Sequence, residues 1–121
     1  MTLRNTGNVA GAIQLRNTGN VAGNSYVTTV VQIPAGTAAV SVTMEARNLG
    51  LGDECLFSVS IDGGSTQTEV LKLTSSSDGV ETTASTSVTV PTAQVIQLRM
   101  TNVNGKKWET CLLSAVQVTC A

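Results

Sequence analysis

An all-β fold, an antiparallel sandwich, is the class this sequence predicts, and three observations predict it. Alternating apolar and polar residues recur along the chain, clusters of Gly, Pro, Asn and Asp punctuate them, and no stretch sustains an apolar period of 3.6. The chain of 121 residues is the size of one domain that buries roughly two-thirds of its unfolded surface. Its Ser-, Thr-, Val- and Gly-rich composition suits strands joined by many turns.

The first segment is the least ordinary. Leu3 to Gly11 reads LRNTGNVAG, and Leu15 to Gly23 repeats it without a change. Two copies are too few for a solenoid of stacked repeats, which needs about three or more. An arm that lays the same pairing unit twice on a neighbouring subunit uses such a duplication directly, because a sandwich has open sheet edges that accept added strands. Residues 1-23 therefore read as a duplicated arm, with Leu3, Val9, Ile13, Leu15 and Val21 as its apolar anchors, and 24-121 as the sandwich domain. A linker duplicated by chance is the competing reading, since large apolar residues are few there.

The strands follow in order. Tyr26 to Ile33 is closed by Pro34-Ala35-Gly36, where proline fixes φ and glycine accepts a positive one. From Ala38 to Arg47, Val40, Val42, Met44 and Ala46 alternate with polar residues, which gives one buried and one wet face. Cys55, Phe57, Val59 and Ile61 share the next apolar face, ended by the turn Asp62-Gly63-Gly64. Glu69 to Thr74, a turn at Asp78-Gly79 and Thr83 to Val90 come next. Gln94 to Thr101 and Trp108 to Val118 flank Asn104-Gly105, a dipeptide that signals a tight hairpin. The expected interior is Val40, Val42, Met44, Phe57, Val59, Ile61, Ile96, Leu98, Met100, Val116 and Val118.

The three cysteines are Cys55, Cys111 and Cys120. Cys55 faces the expected core. A bulge near Ser114-Ala115 would bring Leu113 and Cys111 to the same side as Val116 and Val118, which opens a Cys55–Cys111 disulfide to a chain matured in an oxidising compartment. Cys120 is then free or forms an intermolecular link; three reduced thiols in a particle assembled in the cytosol are the alternative.

Charged residues are 12% of the chain and the net charge is -1, so there is no field to gather nucleic acid or an anionic membrane. Nothing resembles a membrane-inserted span, and the start MTLRNTG lacks the basic and apolar regions of a signal peptide. Histidine is absent, which removes the commonest general base, and the Ser/Thr runs have no neighbour to activate them. The expectation is no enzyme, no catalytic residue and no cofactor. A structural Ca²⁺ at the turn residues Asp53, Asp62 and Asp78 is a weaker option than plain turn-making by Asp before Gly.

MEARNLGLGDECLFSVSIDGGSTQTEVLKLT, followed by SVTVPTAQVIQLRMTNVNGKKWETCLLSAVQV, resembles jelly-roll modules similar to MAM and galactose-binding-like domains, accessory units of secreted bacterial proteins. The resemblance runs from about Ser25 to Val118. It implies a jelly-roll-like antiparallel β-sandwich of about seven to eight strands, here with an extended N-terminal arm. Gln67 replaces the family's frequent Trp, and Leu113-Ser114-Ala115-Val116 replaces its Ile-Asp-Asp-Val ending, and these departures weaken any transfer of ligand or calcium binding.

Two functions follow. The first is a non-enzymatic structural subunit of a homo-oligomer or polymer, such as an extracellular filament, sheath or surface layer, or a virion, built through the arm. The second is a carbohydrate-binding or adhesive accessory module, extracellular or at the cell surface, with Tyr26 and Trp108 as the glycan platform. The scarcity of aromatic residues weighs toward the first.

Overall fold

The computed structural model describes residues 13–16, 23–105 and 109–120. Its strands are β1 (Ile13–Arg16), β2 (Gly23–Ile33), β3 (Gly36–Arg47), β4 (Glu54–Ser60), β5 (Thr68–Leu73), β6 (Thr82–Val90), β7 (Gln94–Gly105) and β8 (Thr110–Cys120), with a 3-10 turn at Ser75–Ser77. They form two four-stranded sheets, ordered β1-β8-β3-β6 and β2-β7-β4-β5.

The order has a simple origin. β1 pairs with β8, β2 with β7, β3 with β6 and β4 with β5, all antiparallel, so the chain is one long two-stranded ribbon turned back between β4 and β5. Rolling the ribbon brings β3 against β8 and β4 against β7, and those two further ladders complete the sheets. This is the jelly roll, an eight-stranded way of burying one face of every strand.

The core lies between the sheets and follows the sequence alternation closely. Val40, Val42, Met44, Phe57, Val59, Ile96, Leu98, Met100, Val116 and Val118 are all buried, joined by Ile33, Leu73 and Val90. Ile61 departs from the expected interior and is 43% exposed. β4 ends at Ser60, so Ile61 has already left the pleat that would turn it inward.

The irregularity in β8 decides which residues reach the core. Thr43 pairs with Ala115 but Met44 pairs with Leu113, so Ser114 is an extra residue in the strand. An added residue shifts the side-chain alternation by one position. Leu113 and Cys111 thereby join Val116 and Val118 in the interior. Cys111 meets Cys55 of the opposite sheet in a disulfide with a Cα–Cα separation of 5.6 Å. Cys120, partly exposed at the end of β8, is a free thiol.

Two sequence expectations are corrected. Asn104-Gly105 does not make a tight hairpin, because β7 and β8 belong to opposite sheets. Asn104 does adopt a positive φ of 59°, but the bend carries the chain across the sandwich. Gly105 packs so closely on the buried Asn102 side chain that a Cβ there would collide with it. Asn102 Nδ2 donates to the Glu109 carbonyl at 2.9 Å, which ties the two ends of this crossing together.

The second correction concerns the arm. Ile13–Arg16 pairs with Leu113 to Thr110 of the same chain instead of lying on a neighbour, so Ile13 and Leu15 sit in a strand of the domain. β1 thus supplies the ribbon's outermost pair from within residues 1-23. Leu3, Val9 and Val21 lie outside the described residues.

Deleting residues 1–16 is therefore expected to lower the thermal midpoint, because it strips β1 from β8, whereas deleting residues 1–11 leaves the described β1–β8 pairing in place and is expected to lower it less. Differential scanning calorimetry separates the two. Replacing both Cys55 and Cys111 by Ala opens a loop with a sequence separation of 56. Chain entropy gives that loop a cost of about 4 kcal/mol, read in denaturant titrations against the intact chain.

Candidate functional site

Paired residues in neighbouring strands point to the same face, so the ladders map the outer surface of the β2-β7-β4-β5 sheet directly. One row runs Tyr26, Thr101, Leu56, Lys72; the next runs Thr28, Arg99, Ser58, Glu69; a third runs Val30, Gln97, Ser60. Strands lie about 4.8 Å apart, so each row holds its side chains at about that spacing across the face.

Tyr26 stands out on this face. Its side chain is 60% exposed on the edge strand β2. The Arg99 guanidinium sits 4.4 Å from the ring centroid, a cation–π contact that braces one side of the ring. Val30 and Val95, 62% and 49% exposed, extend the apolar character of the same surface.

Polar groups beside the ring are held by the β4–β5 connection, which folds back over the sheet. Arg99 Nη2 donates to Gln97 Oε1 at 3.2 Å. Gln67 Nε2 donates to the Gly64 carbonyl at 3.1 Å and lies 3.5 Å from Gln97 Oε1, while the Ser58 hydroxyl donates to Gln67 Oε1 at 2.8 Å. Gly64, with φ of 101°, approaches Gln97 so closely that a Cβ there would stand 3.0 Å from its Oε1. Ser58 and Ser60 are buried although they point outward, because this turn covers them. Lys72, toward the β5 edge, lies 3.8 Å from Glu54 and 3.7 Å from Glu69.

The turn is fixed from within. The Ser60 hydroxyl donates to Asp62 Oδ1 at 2.6 Å and accepts the Gly64 N–H at 2.9 Å, and the Thr66 N–H donates to the same Asp62 oxygen at 2.9 Å. The Ser60 hydroxyl foremost, then the Thr66 backbone and side chain, lower the Asp62 pKa from 3.8 to about 2. These bonds favour the charged carboxylate, which accepts without having to donate.

The other sequence candidates separate. Asp53 and Asp62 flank the seven-residue β4, roughly 20 Å apart at strand rise, so they hold no common ion. Asp78 accepts the Asn48 and Leu49 N–H groups at 3.2 and 3.0 Å, which is turn-making chemistry. Among the described residues no cluster of three or more ligand-type side chains fits a metal. Trp108 lies outside the described residues. Arg99 and Gln97 were missed by sequence reading; their signal was the polar alternation Gln97, Arg99, Thr101 on the wet side of β7, which by itself looks like any solvated face.

No protein-family model matches the chain, and no curated protein matches it. Solved structures do share its fold. The C-terminal domain of EclA, a sugar-binding protein, superimposes with a TM-score of 0.62 at 15% identity, over 89% of this chain and 76% of that one. TmCBM61 in complex with β-1,4-galactotriose gives 0.57 at 10% identity, over 100% and 88%. The carbohydrate-binding module CBM6cm-2 from Cellvibrio mixtus lichenase 5A, in complex with cellotriose, gives 0.51 at 16%, over 100% and 97%. These likenesses show the fold, a jelly-roll-like β-sandwich, and give nothing for a MAM module in particular. Among the described residues no helix is long and apolar enough to cross a membrane.

Because folding lowers the Asp62 pKa, its contribution to stability is complete above the ordinary value of 3.8 and is lost as pH falls toward about 2. Asp62→Asn is expected to melt below the wild type at neutral pH, with the gap closing over that acidic window. Paired thermal melts across pH check this.

Proposed function

We propose that the chain is a non-catalytic carbohydrate-binding module that takes a glycan on the outer face of the β2-β7-β4-β5 sheet. The carrying observation is Tyr26, an aromatic ring left 60% exposed on a sheet face and braced from one side by Arg99. A sugar ring presents apolar C–H patches that stack on such a platform, while its hydroxyls seek convergent polar groups. Thr101 stands opposite the ring in its own row, Thr28 in the adjoining row and Gln97 one row further on. Structures that share this fold include modules solved with galactotriose and with cellotriose, which supports this reading ahead of a self-assembling filament, sheath or virion subunit. The setting that goes with it is extracellular or at a cell surface, next to polysaccharide.

The assembly reading keeps one observation in its favour. The first LRNTGNVAG copy carries the same Leu-Arg pair that lies within β1 in the second copy, so a second pairing unit exists in the sequence. Light scattering of the purified chain tests it; a monodisperse monomer ends it.

A glycan array probed with the full chain is expected to return binders, and Tyr26→Ala should weaken the best of them by about tenfold or more, equivalent to ~1.4 kcal/mol. Tyr26→Phe keeps the ring and most of the affinity. The thermal midpoint of both variants should stay near that of the wild type, since the side chain contributes little to the core. Unaltered glycan binding by Tyr26→Ala would remove the site from this face.

A further inference from the structure

The proposed glycan face carries the cations Lys72 and Arg99, and among the described residues Arg99 has no acidic partner. The ion pairs among the described residues join Arg47 to Glu45 and Lys72 to Glu54 and Glu69, and Arg99 belongs to none of them. A guanidinium carries five N–H donors. Arg99 places one of them on a protein acceptor, Nη2 on Gln97 Oε1 at 3.2 Å, while its Nε is buried without a hydrogen-bond partner. Part of its hydration is therefore lost with little returned from the protein.

The orientation is set all the same. The Tyr26 ring covers the guanidinium plane at 4.4 Å, and Gln97, itself within reach of Gln67, holds one arm. A planar fork fixed in this way binds two oxygens of one anionic group at once, which a single sugar hydroxyl does not match. Hydroxyls would satisfy donors but leave the charge; a carboxylate or sulfate does both. Glu54 and Glu69, which would repel such a group, are drawn toward Lys72 at the β5 edge of the same face.

We infer that the sugar unit seated beside Tyr26 bears an anionic group, a uronate carboxylate or a sulfate ester, held by Arg99. This rests on the glycan-binding reading above and specifies the class of glycan.

Affinity electrophoresis of the full chain against four polymers tests it: polygalacturonate, the same polymer with its carboxyl groups reduced to alcohols, a sulfated galactan and a neutral galactan. At least one anionic polymer is expected to bind about tenfold or more tighter than its neutral counterpart, with the preference reduced by added salt. Preference for polygalacturonate identifies the carboxylate, and preference for the sulfated galactan identifies the sulfate. Arg99→Gln should reduce anionic binding to the neutral level, and Arg99→Lys should retain part of the preference because it keeps the charge and loses the fork. Equal binding of charged and neutral polymers overturns this inference while leaving the glycan reading intact. An anionic preference that survives in Arg99→Gln overturns it too. Binding to none of the four, with none on the glycan array, removes both. The comparison of native with carboxyl-reduced polymer uses the wild-type chain alone and so holds even if a variant does not fold.

Discussion

The ladder between β3 and β8 is the contact on which the remaining structure depends. Within its sheet it joins the outer ribbon pair β1–β8 to the inner pair β3–β6 and so turns two ribbons into one sheet. Its registry is also where the sandwich is closed covalently. The extra residue Ser114 reverses the alternation midway along β8, so both halves of the strand present apolar side chains inward and Cys111 meets Cys55 of the opposite sheet. Without that added residue one half of β8 would turn Cys111 and Leu113 outward, against the pattern of every neighbouring strand.

The two outer faces of the sandwich differ in kind. On the β1-β8-β3-β6 sheet, hydroxyls meet across β3 and β6, Thr37 with Thr89 at 2.9 Å and Thr43 with Thr83 at 2.8 Å. Those groups satisfy one another along an edge of short polar side chains. The β2-β7-β4-β5 sheet instead exposes an aromatic ring, two valines and a guanidinium with unused donors. A surface whose polar groups are paired among themselves gains little from a ligand. One with a braced ring and unspent donors gains both stacking and hydrogen bonds, and this difference is what points to one face and away from the other.

Rigidity makes the second face usable. The turn between β4 and β5 is a potential source of motion, yet Asp62 and Ser60 fasten it internally and Gln67 fastens it to the sheet through Ser58. Gln97 and Arg99 are in turn positioned against that turn, so the polar partners of Tyr26 are arranged before any ligand arrives. Preorganisation of this kind reduces the ordering cost of binding.

The sequence by itself determined the class of fold and nearly all of the core, because period-two alternation is a local property that a strand must satisfy wherever it ends up. It also carried the bulge near Ser114-Ala115, since Val116 and Val118 share a face with Leu113 only if one residue is added. It misplaced Ile61, Asn104-Gly105 and the segment Ile13–Arg16. Each of those depends on which strand lies alongside, and pairing partners separated by up to a hundred residues leave no mark in a local pattern. Most of the candidate site was hidden for the same reason. Tyr26 was legible as a platform ring, but Gln97 and Arg99 read singly as solvated residues, and only the ladders of β2, β7 and β4, with the turn of Gln67 folded over them, bring a ring, a fork and their supports onto one surface.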